Sequence, residues 1–91
     1  MTEQEFREAA LSAEEGEVFL REWPPLALVP EHSHPFALKA LLLKGQMWLT
    51  VDGAERQIQV GEMFELSHAY PHAERYGPEG AAYLVARKHG A

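Results

Sequence analysis

Between residues 45 and 80 a glycine or proline stands at 45, 53, 61, 71, 77, 78 and 80. That punctuation leaves no room for a long helix in this half of the chain. Between the breaks lie short runs of period 2: Met47/Leu49/Val51, Ile58/Val60, Phe64/Leu66 and Tyr83/Val85. Such alternation turns one face of a strand to a core and the other to water. Asp52-Gly53, inside "VDGAE", is the favoured order for a two-residue hairpin turn. Upstream, "EVFLREW" alternates Val18, Leu20 and Glu22 against Phe19, Arg21 and Trp23 until two prolines stop it. "LALVPEHSHPFALKALLLKG" is long and mostly extended, because its prolines forbid a continuous helix and bias the residues before them to β. Only the start differs. Thr2 with Glu5 makes a capping box, Phe6, Ala9 and Ala10 recur at helical spacing, and one short helix is predicted over residues 3–11. Short strands with turns about every 8–12 residues give an all-β sandwich or small barrel. The division expected is a helical lead-in over 1–15 and a single domain over 16–91.

Ninety-one residues supply one modest core and not two. The formal charge of −6 argues against nucleic acid, which calls for a basic face. With no cysteine, disulfides and thiolate-bound metal are excluded. The longest apolar run, "ALLL" at 40–43, falls far short of a membrane span. The acidic, amphipathic start is unlike a secretory leader, so a cytoplasmic protein without a membrane partner is expected.

Two of the five histidines lie one residue apart in "PEHSHP". In a helix His32 and His34 would face opposite ways; in a strand they share a face with Phe36 and Leu38. His68 and His72 flank "AYP" further on, and His89 is near the end. Neutral imidazole is a common ligand for Zn, Fe, Ni, Cu and Mn. Taken alone, His-x-His is more often a pair of surface histidines in a proline-rich turn.

The spacing around it resembles the cupins. Their first motif is written G-x5-H-x-H-x3,4-E-x6-G, and "HSHPFALKALLLKG" supplies His32, His34 and the closing Gly45. Their second is G-x5-P-x-G-x2-H-x3-N, and "GEMFELSHAYPHAERY" supplies Gly61 and, eleven residues later, His72. The resemblance spans about residues 26–88 and implies a small cupin β-barrel, a double-stranded β-helix or jelly roll. It further implies a divalent metal ion (Zn, Fe, Mn or Ni) held inside by His32, His34 and His72, acting on or beside a small organic molecule. The alternative is a metal-free cupin that binds or senses a small ligand without catalysis. The resemblance names no reaction, because this barrel hosts many.

The departures are specific. Leu26 stands where the first glycine belongs, and Leu38 or Lys39 where the metal-binding glutamate belongs. Ser67, Ala69 and Tyr76 replace the second motif's proline, glycine and asparagine. Glu74, two residues from His72 on the same strand face, is the first candidate to replace the lost carboxylate; otherwise it is an exposed partner for Arg75 or Lys88. His68 is either a further ligand or a loop residue at the barrel mouth. Of the aromatic residues, Phe36 and Tyr76 are the best pocket candidates, with Trp48, Phe64, Tyr70 and Tyr83 either pocket or core. A homodimer is expected, since Ala37, Leu41 and Leu43 need cover, unless the helix around Phe6 supplies it.

Overall fold

The structure, a computed structural model, describes residues 1–12, 17–33, 37–66 and 71–87. In chain order it has α1 (Glu3–Ser12), β1 (Glu17–Trp23), β2 (Leu28–His32), β3 (Leu38–Val51), β4 (Ala54–Ile58), β5 (Met63–Leu66) and β6 (His72–Arg87). All six strands are antiparallel members of one sheet. β3 and β6 lie side by side through its middle, and each is bent. Beyond the bend, the second half of β3 and the first half of β6 are flanked by β4 and β2; before it, the partner halves are flanked by β5 and β1. The sheet is thus folded over itself. It is not closed into a barrel: among the described residues β1, β2, β4 and β5 each pair on one side only.

The bends correct one part of the sequence reading. Gly45 and Gly77 to Gly80 do not end strands; β3 and β6 continue through them with shifted register. Gly45 has φ 88, and a Cβ there would sit 2.1 Å from the Gly80 carbonyl oxygen. Gly80 has φ 72, and its Cβ would meet the Trp23 carbonyl oxygen at 2.4 Å. Only glycine permits both the left-handed backbone and that approach. The extra residues also reverse the alternation. Ala40 and Leu42 are core before the bend of β3, Met47 and Leu49 after it. In β6 the inward set changes from Tyr76 to Ala81, Tyr83 and Val85. A change of parity in both strands lets both halves bury their apolar faces against each other.

That interior is the main core, joined by Ile58, Phe64 and Leu66, with Phe19, Trp23, Val29 and Leu38 against it. A second cluster lies on the outside of the sheet, where α1 packs Phe6 and Ala10 onto Leu41, Leu84 and Ala86, with Val18, Leu43 and Met63 around them. The helix therefore covers Leu41 and part of Leu43, two of the three residues from which dimerisation is expected, while Ala37 stays exposed. Its start is capped as the sequence indicates: Thr2 N–H donates to Glu5 Oε1 at 2.8 Å and Glu5 N–H to Thr2 Oγ1 at 3.1 Å. Asp52 and Gly53 both take positive φ, 53 and 76, in the predicted hairpin turn between β3 and β4. Among the described residues no helix is long and apolar enough to cross a membrane.

Candidate metal centre

The first half of β6 carries His72, Glu74 and Tyr76 at alternate positions, so all three project from one face into the fold. β2 pairs with it so that His32 lies directly opposite His72. The two imidazoles are 4.3 Å apart between ring centroids. His32 Nε2 is 3.9 Å from Glu74 Oε2. One donor atom from each of His32, His72 and Glu74 falls within 4.8 Å of the others. His72 and Glu74 are 3% and 8% exposed, while His32 is half-buried at the rim.

Hydrogen bonds fix which atoms are offered. His32 Nδ1 is 2.9 Å from the Pro30 carbonyl oxygen, which only accepts, so in the neutral ring this nitrogen carries the proton and Nε2 offers the lone pair. Glu74 Oε1 accepts from the Tyr76 hydroxyl at 2.7 Å and from the Tyr83 hydroxyl at 3.4 Å. Its other oxygen, Oε2, is turned toward His32. Trp23 Nε1–H donates to the Tyr83 oxygen at 3.1 Å, and the Trp23 ring stacks on Tyr76 at 5.4 Å. Burial, and then the nearby Glu74 carboxylate, push both phenols above their ordinary value, so both remain donors.

These residues fit a divalent ion. Metal–nitrogen and metal–oxygen bonds of about 2.0–2.2 Å place neighbouring ligands about 3.0–3.4 Å apart, so the widest pair of donors needs to close by roughly 1.5 Å. Two imidazoles and a carboxylate on one side of an ion suit Zn, Fe, Mn or Ni and leave positions open. The set differs in part from that implied by resemblance. His32 and His72 are brought together, and Glu74 joins them. His34, Phe36 and His68 lie outside the described residues, as do Tyr70, Lys88 and His89. Arg75, which was weighed as a partner for Glu74, instead pairs with Glu55 on the outer surface at 2.8 and 3.1 Å and stacks over Trp48. Trp48 does not line the cavity that the group faces. Nor does Tyr76, which lies buried behind Glu74 and orients it.

The group opens on a cavity of about 610 Å³ between the two halves of the sheet. Phe64 and Leu66 from β5, Phe19 from β1 and Val85 from β6 form its apolar wall; Arg21 and Arg87 also line it. Trp23 and Arg21 escaped the sequence reading of the site. The signal was present in the alternation of β1, which places both on the face of Phe19.

No known family's sequence profile matches the chain, and no curated protein matches it in sequence. Its shape has many counterparts among solved structures. A DMSP lyase, DddQ, from Ruegeria pomeroyi DSS-3 superimposes with TM-score 0.72 at 22% identity, over 80% of this chain and 38% of that one. A cupin protein from Bacteroides fragilis gives TM-score 0.65 at 23% identity, over 81% of this chain and 66% of that one. An RmlC-like cupin from Shewanella frigidimarina NCIMB 400 gives 0.65 at 19% identity, covering 78% and 65%. The chain thus spans less than two thirds of each of these proteins. The bent, two-halved antiparallel sheet with its inward histidines is the cupin fold.

Proposed function

We propose that this protein binds one divalent metal ion through His32, His72 and Glu74, with His34 the further candidate ligand, and holds a small organic molecule in the adjoining cavity. One observation carries this reading: donors from two strands converge on one point at the cavity wall, and two phenols orient the only buried carboxylate among the described residues. Unpaired, that carboxylate would be costly to bury; a cation beside it offsets the cost. When bound, the ion supplies Lewis-acid polarisation of a coordinated oxygen. The chain's own residues orient the ligands, keep Tyr83 as a donor beside the cavity, and exclude water with Phe19, Phe64 and Leu66. A lyase stands among the structural neighbours, but a shared fold at this identity carries no substrate across. The same reading takes the protein to be cytoplasmic and without a nucleic-acid or membrane partner, in keeping with its acidic charge. It also takes it to be a homodimer, now through the edge strands β1 and β2, where Leu20 and Leu28 are exposed.

Elemental analysis of untagged protein, after reloading with zinc, tests the site. One equivalent is expected. His32→Ala, His72→Ala and Glu74→Ala should each weaken binding by more than the roughly 10–100-fold typical of losing a supporting residue, whereas His89→Ala should change nothing. His34→Ala and His68→Ala identify any further ligand. Because each imidazole must be neutral to bind and ordinary histidine titrates near about 6.5, metal should leave steeply below about pH 6. Full occupancy in all three variants would place the site elsewhere. No uptake by the wild type would leave the metal-free binding module.

A further inference from the structure

We propose that the cavity takes an organic oxyanion, a small molecule with an apolar body and a carboxylate or phosphoryl group, whose charge is received by Arg21. The inference deepens the cavity reading above and rests on it. β1 turns one charged side chain toward the cavity. Leu20, at 49% exposed, faces outward, while Arg21 lies on the same face as Phe19 and Trp23, which pack against the main core. Arg21 is itself exposed, so its guanidinium keeps water on one side while lining the cavity on the other. No ion pair of Arg21 exists among the described residues, and its guanidinium carbon lies 5.2 Å over the Trp23 ring. The cavity's carboxylates do not answer its charge. Glu74 is engaged by Tyr76, Tyr83 and His32, and Glu31 stands exposed at the rim. Arg21 does act on the site electrostatically, opposing the upward push on the Tyr83 phenol.

The rest of the cavity suits such a ligand. Arg87, over the Phe19 ring at 5.5 Å, adds a second positive charge to the lining. Phe64, Leu66 and Val85 receive an apolar body, and about 610 Å³ is room for a molecule well beyond acetate in size. The guanidinium fork matches carboxylate and phosphate oxygens in pairs, which a point charge does not.

Isothermal titration with benzoate, phenyl phosphate and neutral benzamide tests this, on chelator-treated and zinc-loaded protein. At least one anion should bind at least about tenfold tighter than benzamide in both forms, as expected of a charge-assisted hydrogen bond. Whichever anion binds tighter names the oxyanion group. Arg21→Gln should abolish the preference and Arg21→Lys keep part of it, both with unchanged circular dichroism. Equal binding of the three probes, or no binding of either anion in the millimolar range, overturns the proposal. So does a preference that survives Arg21→Gln; if it also requires zinc, the anion sits on the metal and the metal reading stands. Discrimination through Arg21 in a protein that takes up no zinc keeps this proposal and removes that reading.

Discussion

Tyr76 and Tyr83 direct their hydroxyls to the same oxygen of Glu74, from two residues and nine residues away in the chain. Both phenols are held above their ordinary value near 10.0 by burial first and by the Glu74 charge second. In the unfolded chain they ionise near that value, while in the folded protein they stay neutral. The unfolded state therefore binds fewer protons above it, and stability falls as pH rises. Their contribution is fully present below about pH 10 and declines above it by about 1.4 kcal/mol per pH unit for each phenol. In a Tyr70→Phe variant, tyrosinate absorbance should therefore appear only together with the loss of near-ultraviolet circular dichroism. Ionisation of either phenol with the fold intact near pH 10 would contradict the buried network.

Among the elements, the connection from β1 to β2 carries strain. Pro24, Pro25, Leu26 and Ala27 form a turn closed by the Ala27 N–H to the Pro24 carbonyl at 3.3 Å, and Leu26 N–H reaches the Gly77 carbonyl at 2.9 Å. Leu26, at its third position, has φ 59. Turns with proline second and a positive φ third ordinarily place glycine there, and the motif resemblance asks for glycine at this same position. A leucine in that conformation costs about 1–2 kcal/mol, partly offset by the greater freedom a glycine would have when unfolded. Being 68% exposed, Leu26 contributes little burial in return. Leu26→Gly should raise stability by up to about 1 kcal/mol, a melting-temperature gain of a few degrees. A lower melting temperature would show that the leucine is held by contacts worth more than its strain.

At the scale of the molecule, α1 packs on the outside of one half of the sheet, and this weakens the first reason for a dimer. What stays open are the edge strands, among them β1 and β2 with Leu20 at 49% and Leu28 at 76% exposure. Edges of this kind present unpaired backbone groups and are natural places for a second copy to add. Light scattering at micromolar concentration should give twice the chain mass of 10.2 kDa. A species at the chain mass alone would exclude pairing. Lys substitutions at Leu20 or Leu28 should shift a real dimer toward monomer by placing like charges at the contact.

Whatever depends on neighbours along the chain was legible in the residues. The capping box of α1, the Asp52-Gly53 hairpin and the inward face of His72 and Glu74 follow from spacings of two to four residues. The fold class followed as well, because alternation and turn spacing are local properties summed over the chain. Long-range pairing decided the rest. Gly45 and Gly80 read as strand ends, since a glycine at a break and one at a bend look alike until Gly80 is seen to close on Gly45. Lone imidazoles at 32 and 72 became a donor group only when β2 aligned with β6. Glu74 and Tyr83 are nine residues apart, yet the parity change at Gly80 turns both inward, and that change exists only because two sheet halves must bury their apolar faces on one another.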